Sequence, residues 1–531
     1  MNNIMPMGHQ GMVASPHYMA STVGSFVLRE GGNAFDAAVA VSATLAVVYP
    51  HMTGIGGDSF FLMYSAKDRK VIGLNGSGRS GREVSSSLFK DKGLSRIPDR
   101  GVLSAITVPG MVDAWWEVWT RFGRLPWDKL IAPAVQYAEQ GFPVSRDLYR
   151  WMCKDEQWIR EDKTLKEVFM DGCRLKSEGS RLVQSELAAT LRLLMKEGRD
   201  AFYKGPFMEA MVLAIRADGG LLTAEDFLSH RSNWVEPLST TYKGDRIYQM
   251  PPNSQGFSLL LMMNILEHFD LPGIPRDSAA FYHLMVEVVK KAFQYRDRYL
   301  TDPDFAHIPV DQLLSKDFAR QLSEQISLTP MEASPFLSSP MGQDTAYAAV
   351  VDDEGNAVSF IQSLYYDFGS AYVPEGTGVI LQNRGSFFSL DAEHPNALLP
   401  NKRTFHTLMP GMVLRGEKPY LLLGTQGGEG QPQTQLSILT GVLDYGCTIQ
   451  EAIALPRWVY GRTWGQASDS LKMENRNLQS AAEKLMQWGH RVELVSGWDG
   501  IVGQAQGICI DTNGVMYGAA DPRGDGLAIG W

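Results

Sequence analysis

Thr345-Ala346-Tyr347-Ala348-Ala349-Val350-Val351, then Asp352-Asp353-Glu354-Gly355, then Asn356-Ala357-Val358-Ser359-Phe360-Ile361-Gln362-Ser363 is the stretch that decides the fold. Two short apolar runs rich in β-branched and aromatic residues flank four turn-forming residues, which predicts an antiparallel hairpin. Immediately upstream, residues 326–343 read ISLTPMEASPFLSSPMGQ, with neither a helical nor a strand period. That composition predicts an exposed, mobile connection. A loop long enough to be cut therefore ends where a strand begins, and the strand opens on a threonine.

The chemistry of that placement is specific. A threonine hydroxyl is a weak nucleophile unless a base lies close, and a free α-amine on the same residue supplies one, with an ordinary pKa of about 7.7–8.0. In an intact chain that nitrogen is an amide, so the Asp344–Thr345 bond has to break first. An isolated strand-initial threonine is commonplace, and the reading gains its weight only from the surrounding sequence.

Outward from the hairpin, the first two-thirds of the chain carries helix-period patterns. Phe281, Leu284, Met285, Val288, Val289, Ala292 and Tyr299 follow the i, i+3, i+4, i+7 spacing of one buried helix face between Ser278 and Leu300. Asp302-Pro303 stops it. Met111 to Phe122, Glu186 to Met195 and Ser258 to Phe269 read the same way, whereas the last third reads mostly as short strands and turns. No internal repeat or low-complexity tract interrupts the 531 residues.

Composition excludes several function classes. At 44% apolar the chain can bury a large core, and a net charge of −10 without a basic stripe argues against nucleic acid and anionic membrane partners. The start, MNNIMPMGHQGMV, has neither the cationic nor the apolar segment of a secretory signal, so a cytoplasmic location is expected. Cys153, Cys173, Cys447 and Cys509 form no CxxC pair and read as buried thiols; with ten scattered histidines and no HExxH, neither a metal nor another cofactor is expected. Gly54-Ile55-Gly56-Gly57 lacks the lysine of a phosphate loop, Ser87-Leu88-Phe89-Lys90 lacks a following KTG, and there is no GxSxG.

Ordered matches along nearly the whole chain mark a resemblance to the γ-glutamyltranspeptidase family. They include Gly31-Gly32-Asn33-Ala34-Phe35-Asp36-Ala37-Ala38, Thr53-Gly54-Ile55-Gly56-Gly57-Asp58, Val108-Pro109-Gly110, Ala201-Phe202-Tyr203-Lys204-Gly205 and Asp302-Pro303-Asp304-Phe305. The Thr345 segment, Phe368-Gly369, Gly424-Thr425-Gln426-Gly427-Gly428 and Ala519-Ala520-Asp521-Pro522-Arg523 continue the series. The resemblance implies an α+β fold, a four-layer αββα sandwich built as one domain from a helix-rich part, 1–344, and a strand-rich part, 345–531. It implies that Thr345 attacks first its own peptide bond and then a substrate amide, through an acyl-enzyme resolved mostly by water. The active form would be a heterodimer of the two products, with further oligomerisation left open. Backbone N–H groups at Gly427-Gly428 would hold the oxyanion, and Ser363 would take the place of the family's nucleophile-orienting hydroxyl.

The pocket residues depart from the family. The arginine that grips the γ-glutamyl carboxylate aligns with Ser77, with Arg79 two residues on. The three groups that hold the substrate ammonium align with Tyr365, Arg384 and Phe387, and a serine pair aligns with His406-Thr407. A free ammonium beside Arg384 would be repelled, whereas an acyl group ending in a carboxylate, such as a glutaryl-type dicarboxylic monoacyl group, would suit a guanidinium fork. This pattern resembles the cephalosporin-acylase-like branch. Alternatively, Arg384 pairs with an internal carboxylate. A second functional reading also stays open, in which the chain remains uncut and serves as a silent binding protein.

Overall fold

The computed structural model describes residues 5–328, 344–461 and 468–531, and the expected mobile connection falls from residue 329 onward outside the described residues. The hairpin forms as its sequence predicts. Asp344–Asp352 runs antiparallel to Ala357–Tyr365, with Val351 opposite Ala357 and Ala346 opposite Gln362. Between Ala346 and Asp344 the register slips, so that Ser363 and Leu364 together oppose Thr345. One extra residue on one strand of an antiparallel pair is a β-bulge, a device that re-aims side chains.

This hairpin is the centre of a seven-stranded sheet in the order Leu527–Gly530, Gly11–Ser15, Asp344–Asp352, Ala357–Tyr365, Asp58–Ser65, Lys70–Gly76, Asn233–Val235. A second seven-stranded sheet runs Met7–Gly8, Met516–Ala520, Ala505–Ile510, Lys418–Thr425, Gly411–Arg415, Asp245–Gln249, Leu238–Tyr242. Successive strand residues point to opposite faces. Accordingly Tyr347, Ala349 and Val351 enter an apolar layer between the sheets with Met412, Leu422 and Ile508. Ala346, Ala348 and Val350 instead face a helical layer that includes Tyr18–Arg29, Ala34–Val48 and Trp127–Gln140. The opposite helical layer, with Gly256–Leu266, Ala279–Tyr299 and Gly430–Leu443, covers the second sheet. The result is the four-layer αββα sandwich, and segments from both sides of residue 344 supply strands to each sheet.

Local sequence explains the helices nearest the hairpin. Ala34–Val48 is buried along its whole length, which its small Ala and Val side chains permit, and Asn33 and Asp36 form a capping box at its start. Ala279–Tyr299 is capped by Ser278, whose hydroxyl accepts from Phe281 N–H at 3.2 Å, and Met111–Phe122 keeps the expected bounds. The helix expected over Ser258 to Phe269 is displaced to Gly256–Leu266, because His268 and Phe269 turn back onto carbonyls three residues away.

Two expectations need correction. The strand-rich last third contains a fourteen-residue helix, Gly430–Leu443, whose polar start GQPQTQ hides it from an apolar-period search. The thiols are not uniformly buried either. Cys153 and Cys173 are exposed, and Cys447 and Cys509 are intermediate. On Arg146–Lys154 the buried face is taken by Asp147, Leu148, Trp151 and Met152, so Cys153 turns outward. Among the described residues, no helix is long and apolar enough to cross a membrane.

Candidate active site

Thr345 shares its strand face with Tyr347, and Ser363 shares its face with Ile361, so both hydroxyls point into the space between the sheets. Both residues are buried. Gln431 Nε2 lies 3.5 Å from Thr345 Oγ1. Ser363 Oγ accepts from Tyr365 N–H at 2.7 Å and from Arg384 Nη2 at 3.3 Å.

From the facing sheet, Lys418–Thr425 ends in Gly427-Gly428, whose φ angles are +123° and +50°. Glycine is required because a side chain at either position would be strained. Neither N–H makes a hydrogen bond among the described residues, while the Gly427 and Gly428 carbonyls accept from Gly430 and Gln431 N–H as the next helix starts. Two free N–H groups beside a helix N-terminus form an anion-binding geometry. The turn is held from below. Gln255 Nε2 donates to both Gly428 O (3.0 Å) and Thr407 O (2.8 Å), and the fully buried Arg296 donates to Gln255 Oε1 (3.2 Å) and Glu429 Oε1 (3.1 Å).

Arg384 is buried on all sides and its guanidinium lies 4.3 Å over the Tyr365 ring. Its Nη1 reaches Thr407 Oγ1 at 3.4 Å, its Nη2 reaches Ser363 Oγ, and its Nε has no hydrogen-bond partner. Among the described residues no carboxylate stands within 4.0 Å of it, so the internal ion pair considered from the sequence does not form. Burial pulls its pKa down to about 10, against the attraction of the Tyr365 phenol and Asp58. The Tyr365 backbone sits at φ +88°, a strained conformation for a bulky residue that tilts its ring under the guanidinium.

Asp58 faces this group from the neighbouring strand and accepts from Gly78 N–H (3.0 Å), Gly110 N–H (3.2 Å) and Gln382 Nε2 (3.1 Å). Burial nevertheless raises its pKa to about 7, opposed by Arg384 and these donors. His406 Nε2 lies 3.1 Å from Asp58 Oδ2. Burial, then Arg384 and Arg403, hold the imidazole well below its usual pKa, so His406 is a neutral donor that braces Asp58.

The other sequence candidates divide. Phe387 meets Tyr365 edge-on at 5.1 Å and Phe405 at 4.8 Å, which backs the Arg384 platform with aromatic rings. Ser77 is buried in a polar knot with Asn75 (2.6 Å) and Asn253 (3.3 Å). Arg79 is engaged elsewhere, donating to Asp302 Oδ2 at 2.9 Å and Asp304 Oδ2 at 2.6 Å. Arg79 is therefore already ion-paired, whereas Arg384 feels Asp58 only from beyond ion-pair distance. The backbone of Asp344 pairs opposite Tyr365. Sequence reading missed Gln431, Asp58, Gln255 and the Arg296–Glu429 pair, whose partners lie far apart in the chain.

Among the described residues, one set of metal-ligand types converges: His283, Glu287 and His490, with donor atoms within 4.8 Å of one another. Its groups already satisfy one another. His283 Nδ1 and His490 Nε2 share a hydrogen bond of 2.8 Å, and Glu287 pairs with Lys290 at 2.8 Å. The set sits on the helical layer behind the second sheet.

The family model for gamma-glutamyltranspeptidase matches residues 20–531. The chain belongs to that family. It is 52% identical over 524 residues to the glutathione hydrolase-like YwrD proenzyme of Bacillus subtilis, with 99% of each chain covered. The oxamate amidohydrolase proenzyme of Klebsiella pneumoniae is 38% identical over 527 residues, with 98% of each covered. Among solved structures, a cephalosporin acylase from Bacillus halodurans superposes with a TM-score of 0.92 at 35% identity, covering 100% of this chain and 97% of that one. The protein is thus an enzyme of the amide-hydrolysing and acyl-transferring kind that unites these relatives.

Proposed function

We propose that the chain cuts itself between Asp344 and Thr345 and that Thr345 then hydrolyses amides whose acyl group carries a carboxylate. The two products, 1–344 and 345–531, stay together as one heterodimeric domain. In the first half-reaction the freed α-amine takes the Thr345 hydroxyl proton as Oγ1 adds to the amide carbonyl. The oxyanion is held by the Gly427 and Gly428 N–H groups. The C–N bond then breaks, the amine leaves with the proton, and water attacks the resulting ester to release the acid and restore the threonine. Ser363 and Gln431 orient the nucleophile.

The observation that carries the acyl preference is Arg384, a buried cation beside Ser363 with no carboxylate within ion-pair distance. A cation desolvated without a counter-ion is costly, and a substrate carboxylate would offset that cost on binding. A γ-glutamyl group would instead bring its ammonium to this guanidinium. The oxamate amidohydrolase relative supports the reading, since oxamate carries a carboxylate on its acyl side.

Mass spectrometry of the purified protein should find a new N-terminus at Thr345, and carboxyacyl anilides should be turned over faster than γ-glutamyl anilide. A full-length chain that persists on incubation would favour the silent binding protein, and faster release from the γ-glutamyl compound would overturn the acyl assignment.

A further inference from the structure

We propose that His283, Glu287 and His490 form a binding site for one divalent transition-metal ion of the zinc class, on the helical layer behind the second sheet. One ligand atom from each residue lies within 4.8 Å of the other two. No short motif announces the set, because His490 stands far along the chain from the other two residues.

Local structure delivers each ligand. His283 and Glu287 are four residues apart on the helix Ala279–Tyr299, which puts both side chains on one face, one turn apart. His490 is presented by a helix stop. The helix Gln479–Gln487 gives way at Trp488, Gly489 takes the left-handed conformation at φ +87°, and His490 N–H returns to Leu485 O at 3.0 Å. This is a glycine-terminated Schellman turn, which fixes the residue after the glycine. Leu284 and Val288 of the first helix share an apolar layer with Ala482 and Leu485 of the second, so the turn is held against His283.

The hydrogen bonds decide which nitrogen of His283 carries the lone pair. A carbonyl only accepts, so the 3.0 Å contact between His283 Nε2 and Ser327 O places a proton on Nε2. In the neutral ring the lone pair is then on Nδ1, the nitrogen that meets His490 Nε2 at 2.8 Å. Metal-bound histidines characteristically donate the other ring N–H to a carbonyl or carboxylate, which orients the ring. His283 already has that arrangement.

The links inside the set can be exchanged for metal bonds. With bonds of about 2.0–2.2 Å, ligand atoms on one tetrahedral ion stand about 3.3 Å apart. The two imidazole nitrogens therefore open slightly from 2.8 Å as His490 changes tautomer, and no pair has to close by more than about 1.5 Å. Glu287 gives up its 2.8 Å pair with Lys290, whose ammonium keeps the Tyr460 ring at 5.2 Å. Two imidazoles and a carboxylate favour zinc and its neighbours over magnesium or calcium. Both histidines are buried, whereas the Glu287 side chain is 19% exposed and opens a route from solvent. His283 and Glu287 precede position 345 and His490 follows it, so in the cut protein the ion would tie one product to the other. That consequence rests on the proposed cleavage, but ion binding does not.

The test is titration of EDTA-dialysed protein with Zn²⁺ against a chromophoric chelator, and with Co²⁺ read by its visible d–d bands, on the wild type and on Thr345→Ala. One equivalent should bind to each. His490→Ala removes a ligand and should weaken binding by more than the about 10–100-fold typical of losing an outer-shell partner. Glu287→Gln, on the solvent side of the site, should weaken it by at least about tenfold and carries the comparison if His490→Ala fails to fold. No bound equivalent, or an affinity unchanged in the variants, overturns the site. One equivalent bound by a wild-type chain that stays uncut supports the site and overturns the cleavage reading. In the cut protein EDTA should lower the urea midpoint at which the products separate, and an unchanged midpoint overturns the tie between them.

Discussion

Arg296 and Glu429 form an ion pair of 3.1 Å in which neither side chain is accessible to solvent, directly beneath the Gly427-Gly428 turn. Removing one partner of a buried pair is typically destabilising, and Arg296 also reaches Asp297 at 2.6 Å. Arg296→Gln should therefore lower the unfolding midpoint and, because the turn loses its support, reduce kcat more than it alters KM. A variant with wild-type stability and turnover would show that the pair does not position the turn.

Thr345→Ala should yield a single full-length band on a denaturing gel and a loss of amidase turnover of about 10⁴-fold or more. Thr345→Ser keeps the hydroxyl and should still be cut. If the alanine variant matures and turns over normally, the nucleophile assignment is wrong.

Gly428→Ala places a β-carbon on a residue at φ +50°. The strain, of order 1–3 kcal/mol, can be relieved only by shifting the N–H groups of the turn. Loss of one aligned oxyanion donor typically reduces kcat by about 10²–10³. Steady-state kinetics should show that fall with little change in KM.

Arg384→Met separates a structural cation from a substrate-binding one. Replacing a buried charge that has no carboxylate partner with an apolar side chain of similar length is often neutral or stabilising. Thermal unfolding should therefore show an unchanged or raised midpoint, while KM for carboxyacyl amides rises steeply. A large drop in stability would mean that the guanidinium holds the fold together.

Asp58 predicts a pH dependence of stability. Its folded pKa, about 7, lies above its ordinary value of 3.8, so between these values the folded state holds a proton that the unfolded chain releases. Its contribution is present in full below the ordinary value and is lost as pH rises through about 7. Urea midpoints measured at about pH 5 and about pH 8 should fall over this interval, and Asp58→Asn should flatten the difference. An unaltered slope in the variant would assign the pH effect to other groups.

Much of the frame was legible in the chain because it depends on neighbours in sequence. The hairpin follows from period-two alternation on either side of Asp352 to Gly355, and the Ala279–Tyr299 helix from a 3.6-residue stripe with Ser278 before it. The helix Gly430–Leu443 escaped because its first turns are polar residues that are buried only by partners from other elements. Gln431 escaped for the same reason.

The sequence by itself determined the hairpin and the threonine at the head of its central strand; its resemblance to the family implied the sandwich and proposed Tyr365, Arg384 and Phe387 in place of the ammonium-binding groups. Only the tertiary structure decided which arginine is left with unspent charge. Arg79 is ion-paired with Asp302, 223 residues away, whereas Arg384, buried beside Ser363, has only Asp58 acting on it, from beyond ion-pair distance. The physical reason is range. Backbone periodicity is set by adjacent residues, but the cost of a buried charge is a sum over everything that surrounds it in space, and that sum exists only once the chain has folded.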